Sequence, residues 1–199
     1  MQPWSTSEGI AQDLVAEGIA KEKPDFVCAV GDLGDFGRNM NDWHYLMSFL
    51  PEYASESAFQ SVLGNHDWYG DRGHNFRNVF PYNYSDTTGE FYSFDYQNAH
   101  FVMLDSVSEH EGELENRQRQ WLLEDLDHAN NTLKQDWIFV FLHYNLLTTA
   151  GGKGYTNLLR WLAPISTQYG VDGIFFVHEH YYEHWEYKYG SQDLVFDSA

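Results

Sequence analysis

Apolar residues along the chain fall into two alternating kinds of segment. Some recur at the three- and four-residue spacing of an amphipathic helix, in residues 6–22, 113–130 and 155–169. Others form short continuous runs of strand length, in residues 26–30, 59–63, 137–142 and 173–177. Strands that alternate with helices in this order favour a layered α/β fold.

Turn-forming residues divide these segments. A further helix is predicted to begin at Asn41 or Asp42 and to end at Pro51, because proline breaks a helix interior. Residues 68–90 are rich in Gly, Asn, Asp and aromatic residues and are predicted to form a long loop. Long loops in compact domains are often functional, so this segment is a candidate part of a site.

Period-two alternation predicts two antiparallel pairs. Residues 91–96 and 100–104 alternate on either side of a Gln-Asn turn, and residues 185–189 and 194–196 resemble a second hairpin. These pairs favour a layered α/β sandwich over a simple doubly wound sheet.

Composition limits the partners more than the fold. The 199 residues favour a single domain, residues 1–199. The 30 acidic residues outnumber the 11 basic ones, and the net charge of −19 makes nucleic acid an unfavourable partner. A phosphate-bearing substrate would therefore need a local cationic centre. The one cysteine, Cys28, excludes an internal disulfide, and no apolar run approaches the ~20 residues of a membrane span.

Polar side chains able to bind a metal follow four of the predicted strands. The candidates are Asp32 after FVCAVG, Asn65 and His66 after FQSVLG, His143 after WIFVFL, and His178 and His180 after GIFFV. Taken singly, each is explained better by a turn or by a hydrogen-bonded core residue. Ligands collect beyond the carboxyl ends of strands, so these side chains would converge if the strands share one sheet.

Mixed oxygen and imidazole donors suit Zn, Mn or Fe. The carboxylate of Asp32 has two oxygens and could bridge two cations. Two metals ~3.5–4 Å apart can clamp the attacking and leaving oxygens of an in-line displacement at phosphorus. Such a pair would also supply the positive field that this acidic chain lacks.

The stretch VHEHYYEHW, residues 177–185, allows two other interpretations. His180 to His184 matches H-x-x-E-H, an inverted zinc-peptidase pattern, and the run could also be a polar surface strand without chemistry. The peptidase pattern needs a helix that places both histidines on one face. Here it follows an apolar strand and is dense in tyrosine, so a pair of ligands at a strand end is favoured.

Together these motifs resemble the calcineurin-like metallophosphoesterases, which include the purple acid phosphatases. The resemblance rests on GDLGD at 31–35, GNHD at 64–67, His143 and HEH at 178–180, and it covers most of residues 5–197. It implies a four-layer α/β/β/α sandwich and a metal-dependent phosphoric ester hydrolase. It also implies a dinuclear centre of Fe, Zn or Mn, a metal-bound hydroxide that attacks phosphorus, and a small phosphate ester as substrate.

The resemblance also assigns roles to single residues. Asp32 would bridge the two metals, Asn65, His143 and His178 would complete one site, and His180 would serve the other. His66 would face the substrate, to orient phosphate or to protonate the leaving oxygen. Supporting or substrate-contacting roles are expected at three further positions: Asp35, Asp67 and Tyr144. Asp35 stands where the purple acid phosphatases have a ligand tyrosine, which weakens an assignment to that branch.

The sequence departs from the family at its start. The family's first strand, with its ligand Asp, is not found before Asp32, and the family normally continues beyond Asp197-Ser198-Ala199. We therefore expect a domain truncated at both ends, a second metal site that binds weakly, and little turnover by this chain alone. The alternative is a non-catalytic or single-metal binding domain of the same fold. The resemblance and the acidity slightly favour an extracellular or periplasmic location.

Overall fold

The computed structural model describes residues 6–54, 58–85, 91–108, 116–149, 151–152, 154–190 and 192–198. The helices are α1 (Thr6–Glu22), α2 (Met40–Ala54), α3 (Asn65–Trp68), α4 (His74–Val79), α5 (Asn116–Asp127) and α6 (Thr156–Tyr169), with a π-helical turn at His128–Leu133. The strands are β1 (Phe26–Ala29), β2 (Ala58–Ser61), β3 (Tyr92–Tyr96), β4 (Ala99–Met103), β5 (Trp137–Tyr144), β6 (Gly173–Val177), β7 (Glu183–Tyr189) and β8 (Gln192–Ser198).

The described strands form two sheets. β1 pairs with β2 in parallel, and the other six strands form a mixed sheet in the order β3-β4-β5-β6-β8-β7. β4, β5, β6 and β8 run parallel, while β3 and β7 are antiparallel edge strands, as the two predicted hairpins require. The single shared sheet considered from the sequence does not form. Asp32 and Asn65 follow strands of the small sheet, whereas His143 lies on β5 and His178 follows β6 of the large one.

The two faces of the large sheet are buried in two different apolar clusters, as the residues of β5 show. Ile138, Val140 and Leu142 alternate onto one face and join the larger apolar cluster. Phe139 and Phe141 lie on the opposite face and join a second, smaller cluster. Each face is therefore buried against a different layer.

The small sheet covers the second of these faces. The ring of Phe26 on β1 stands edge-on to the rings of Phe94 and Phe101, with centroids 5.5 and 5.0 Å away. Cys28 packs at the edge of the same cluster, and burial raises the pKa of its thiol to about 12. A thiol with that pKa stays protonated and unreactive at neutral pH.

Helices form the outer layers. Leu122 of α5 and Leu158 of α6 are fully buried in the larger cluster. α1 and α2 pack against each other, and Trp43 of α2 meets Phe76 of α4 with ring centroids 6.3 Å apart. The α/β class and the four-layer sandwich predicted from the sequence are confirmed. None of the helices in the described segments has both the length and the apolar character needed to cross a bilayer.

Two local predictions are wrong. α2 continues through Pro51 to Ala54, because a proline removes one N–H and disturbs one turn without always ending the helix. The segment 68–90 is not one loop, since α4 interrupts it and buries Phe76 completely. Six residues are too few to show a helical period among the glycines and asparagines around them.

Candidate metal centre

Two glycines allow the loops after β1 and β2 to approach each other closely. Gly31 has a φ of +92°, and a Cβ there would lie 2.7 Å from the main-chain nitrogen of Gly64 and 2.9 Å from Nδ1 of His143. A Cβ at Gly64 would lie 2.1 Å from the main-chain nitrogen of Asp32. Any larger residue at either position would push the loops apart, so glycine is required for the contact between them.

Asp67 joins the same two loops from beneath. Its side chain is fully buried, and its two carboxylate oxygens accept the N–H groups of Gly34 and Gly64, each at 3.0 Å. Burial raises the pKa of Asp67 to about 7, although both N–H groups oppose the shift. A side chain in this position supports the loops that carry Asp32 and Asn65, and it is not exposed to a substrate.

His143 reaches this region because of the alternation along β5. It follows Phe139 and Phe141 on the face toward the small sheet, and its Nδ1 lies 2.9 Å from the carbonyl oxygen of Val30. A carbonyl only accepts, so Nδ1 carries the proton. Burial lowers the pKa of His143, against the opposing pull of Asp32. The neutral ring therefore keeps a lone pair on Nε2, as a metal ligand requires.

Four side chains meet near the carboxyl ends of β1, β2, β5 and β6. Oδ1 of Asn65 lies 2.8 Å from Nε2 of His143 and 3.0 Å from Nδ1 of His178. Oδ2 of Asp32 lies 3.4 Å from the same Nε2, and the two histidine nitrogens are 3.3 Å apart. The structure thus brings together Asp32, Asn65, His143 and His178, four of the five ligands predicted from the sequence.

The donor set of this cluster fits a transition metal. Two imidazoles, a carboxylate and an amide oxygen are the mixture that Zn, Fe and Mn accept. Oδ1 of Asn65 and Nε2 of neutral His143 are acceptors that face each other at 2.8 Å, and such a pair of lone pairs attracts a cation. Ligand atoms about 2.1 Å from a tetrahedral ion lie about 3.4 Å from one another, close to the separations observed.

Backbone strain concentrates at the candidate ligands. Asp32, His178 and His180 have φ values of +56°, +90° and +58°. Residues other than glycine adopt such values rarely, and the surrounding structure must hold them there, often at functional sites. The ring of His178 enters the cluster, whereas His180 is exposed and contributes no atom to it. The role of His180 at a second metal therefore stays a prediction.

The zinc-peptidase interpretation is wrong. The chain bends at residues 178–180 and enters β7 at Glu183, so no helix places His180 and His184 on one face. Nδ1 of His184 instead lies 2.7 Å from Oδ1 of Asp197. Glu183 accepts the N–H of Thr149 at 2.8 Å.

His66 borders the cluster on its exposed side. Its main-chain N–H donates to Oδ1 of Asp32 at 2.9 Å. Its ring Nδ1 lies 2.8 Å from the carbonyl oxygen of Asp35 and 3.7 Å from the carboxylate of the same residue. Nδ1 is thus held by Asp35, which leaves Nε2 for other contacts. The contacts of Asp35 with His66 fit a positioning role.

Two tyrosines adjoin the ligands. The ring of Tyr144 is perpendicular to that of His178, with centroids 4.6 Å apart, and so supports one ligand. Tyr69 is not part of any motif in the sequence, yet its hydroxyl oxygen lies 3.0 Å from Nδ2 of Asn65. The signal that could have found it is spacing, because residues four apart share one face of a helical turn.

A second buried histidine lies between β3, β4 and α5. Nδ1 of His100 lies 2.9 Å from Asp95, and its Nε2 lies 2.9 Å from Asp125. The hydroxyl of Ser93 donates to Asp125, and Gln135 donates to Asp95. Burial by itself lowers the pKa of His100, but the two carboxylates outweigh burial and the net shift is upward. With both nitrogens engaged by carboxylates, His100 fits a structural role.

Comparison with known proteins identifies the family of the chain. The family model described as calcineurin-like phosphoesterase matches residues 9–182, a range that includes every candidate ligand. The chain belongs to the calcineurin-like phosphoesterase family. The resemblance seen in the sequence is therefore confirmed.

Relatives of this calcineurin-like phosphoesterase include acid phosphatases. Acid phosphatase type 7 of Mus musculus is 28% identical over 178 residues, which cover 78% of this chain and 40% of the relative. Purple acid phosphatase 7 of Arabidopsis thaliana is 29% identical over 207 residues, which cover 91% and 63%. The structure of a purple acid phosphatase from yellow lupin seeds superposes with a TM-score of 0.77 at 18% identity, covering 92% of this chain and 38% of that one. The chain spans less than two thirds of each of these proteins.

Proposed function

We propose that the protein is a metal-dependent phosphoric ester hydrolase that acts on small phosphate esters. The observation that carries this proposal is the convergence of one atom each from Asp32, Asn65, His143 and His178. Membership in the phosphoesterase family supports hydrolysis at phosphorus. A metal would supply the local positive charge that a chain of net charge −19 needs to attract a phosphate.

The proposed centre holds two transition metals drawn from Fe, Zn and Mn. The converging atoms would hold the first. Asp32 would serve both metals, with His180 as a further candidate ligand of the second. Bound metals supply Lewis acidity at the phosphoryl oxygens and lower the pKa of water.

His66 is the proposed catalytic side chain. Asp35 holds Nδ1 of its ring, so Nε2 is free to meet the substrate on the exposed side of the cluster. A protonated His66 could hydrogen-bond a phosphoryl oxygen or donate a proton to the leaving oxygen. Asp67 and Tyr144 would keep the loops and His178 in place. An extracellular or periplasmic location stays part of the proposal, supported by the acidic composition and the family resemblance.

The proposal is tested by hydrolysis of p-nitrophenyl phosphate after loading the chain with Zn²⁺, Mn²⁺ or iron. Hydrolysis should require metal. Asn65→Ala should reduce both metal content and rate, whereas His66→Ala should reduce the rate at unchanged metal content. Tyr189→Phe is a matched control, since this tyrosine is 40% exposed at the far end of β7. Hydrolysis that persists without metal, or that ignores Asn65→Ala, would overturn the proposal.

A second candidate is a binding domain that keeps the fold and one metal without hydrolysis. It is favoured by the exposure of His180, because the described residues assemble one cluster of ligand atoms and not two. This candidate predicts one metal per chain by elemental analysis and no turnover of phosphate monoesters, diesters or pyrophosphate. Two metals per chain together with turnover would exclude it.

A further inference from the structure

We propose that Tyr69 is a positioning residue that orients the amide of Asn65 toward the metal. The inference rests on the proposed metal site. It concerns a side chain that lies outside the motifs shared with the family, and it assigns that side chain no bond to the metal.

The backbone places Tyr69 beside Asn65. The N–H of Tyr69 donates to the carbonyl oxygens of Asn65 and His66 at 3.2 and 3.3 Å, and its own carbonyl accepts the N–H of Arg38 at 3.1 Å. The ring is 45% exposed, so burial does not dictate its direction. The helical turn of α3 puts residues 65 and 69 on one face, which returns the hydroxyl to the amide.

The amide of Asn65 ends in an oxygen and an NH₂ group, and metal binding requires the oxygen to face the other ligands. Oδ1 faces His143 and His178, while Nδ2 lies 3.0 Å from the hydroxyl oxygen of Tyr69. The oxygen attracts a cation and the NH₂ group repels it. Asn65 is only 5% exposed, so water has little access to replace a lost partner. Within the described residues, the hydroxyl of Tyr69 is the acceptor that Nδ2 finds.

Metal binding should strengthen this contact. A cation at Oδ1 draws electron density from the amide and makes the Nδ2 protons stronger donors. The hydrogen bond to Tyr69 is therefore stronger in the metal-bound chain than in the metal-free chain. That difference is measurable as metal affinity.

The same tyrosine also borders His66, with ring centroids 5.4 Å apart and planes tilted by 52°. Tyr69→Phe removes the hydroxyl and keeps this ring contact. The variant therefore tests the hydrogen bond to Asn65 separately from packing against His66.

The experiment measures Zn²⁺ affinity by competition with a chromophoric chelator, without any measurement of hydrolysis. Tyr69→Phe should weaken binding by about tenfold, the lower end of the range for partners of metal ligands. Tyr189→Phe removes a hydroxyl of similar exposure on a distant strand and should leave affinity unchanged. The thermal midpoint in EDTA should be the same in both variants and wild type, which shows that the fold is intact. Equal Zn²⁺ affinity of Tyr69→Phe and wild type would overturn the inference.

A double-mutant cycle shows whether Tyr69 acts on the metal site through Asn65. In an Asn65→Ala background, whose residual affinity comes from Asp32, His143 and His178, Tyr69→Phe should have no further effect. An equal tenfold loss in both backgrounds would show that Tyr69 acts by another route. If Zn²⁺ affinity changes as expected but the chain does not hydrolyse phosphate esters, the proposed function alone is wrong. If neither Tyr69→Phe nor Asn65→Ala changes Zn²⁺ affinity, this inference is wrong.

Discussion

Two buried histidines in this molecule differ in what their ring nitrogens face. His143 is 0% and His100 3% exposed. At His143, a main-chain carbonyl holds one nitrogen and the other faces acceptors from neighbouring segments. At His100, each nitrogen has its own carboxylate, from Asp95 and Asp125.

The pKa directions follow from these surroundings. Burial opposes the charged ring at both sites, and at His143 it prevails over Asp32 and lowers the pKa. At His100, Asp125 and Asp95 prevail over burial and raise the pKa. The surroundings of His143 thus favour its neutral form, which can bind a cation, whereas those of His100 favour its charged form. Burial alone does not reveal the role of a histidine; the atoms that face its nitrogens do.

The largest expected effect follows from His143→Ala. The change removes a metal ligand and the hydrogen bond to Val30, so Zn²⁺ affinity should fall by more than the ~100-fold seen at most for a ligand's partner. Competition with a chelator measures it. His100→Gln should bind Zn²⁺ as wild type does. Similar losses of affinity in both variants would end the distinction between the two histidines.

His100→Ala should act on stability instead. It leaves Asp95 and Asp125 without the cation between them, and we expect a loss of about 2–3 kcal/mol, less than for a fully buried pair because Asp95 is 44% exposed. Urea denaturation in EDTA near pH 6 measures this free energy. A wild-type unfolding free energy in this variant would contradict the ion-pair assignment.

The stability that His100 contributes should depend on pH in a definite direction. Because the folded pKa is raised, the contribution is complete below the unfolded pKa of about 6.5 and is lost as the pH rises through the folded pKa. The difference in unfolding free energy between wild type and His100→Gln should therefore be greatest below about pH 6.5 and shrink as the pH rises above it. A difference that grows with pH would show the opposite charge state.

The smallest expected effect distinguishes the two carboxylates. Asp125 is 14% exposed and also accepts the hydroxyl of Ser93, so Asp125→Asn should cost about 1–2 kcal/mol. Asp95 is 44% exposed and solvent weakens its pair, so Asp95→Asn should cost less than about 1 kcal/mol. Urea denaturation measures the loss of unfolding free energy in each variant. A larger loss for Asp95→Asn than for Asp125→Asn would assign the main charge contact to Asp95.

The candidate ligands were predictable because the sequence marks the ends of strands. Where an apolar run ends at Gly-Asp, Gly-Asn-His or a lone histidine, the buried strand ends and a polar side chain follows it. The sheet that each strand joins is not marked in this way. β1 is as apolar as β6, yet it pairs with β2 in a separate sheet.

Contacts between distant side chains could not be read from local pattern. Asp67 bridges two loops, and His100 pairs with Asp125 across 25 residues. The register shift between Phe141 and Tyr144, beside His143, changes the pairing of β5 with β6 and leaves no mark in the sequence pattern. These features depend on how the layers dock, so they appear only in three dimensions.

The hydrogen bond from His143 to Val30 joins residues 113 positions apart, and the contact between Asn65 and His178 spans the same separation. Contacts so remote in sequence are slow to form, because a long loop must close before they contribute anything. The cluster therefore cannot guide the early collapse of the chain. In a partly folded chain, Asp32 and Asn65 on the loops after β1 and β2 are not yet in contact with His143 and His178. Tight metal binding therefore measures the fraction of molecules in which the two sheets have docked.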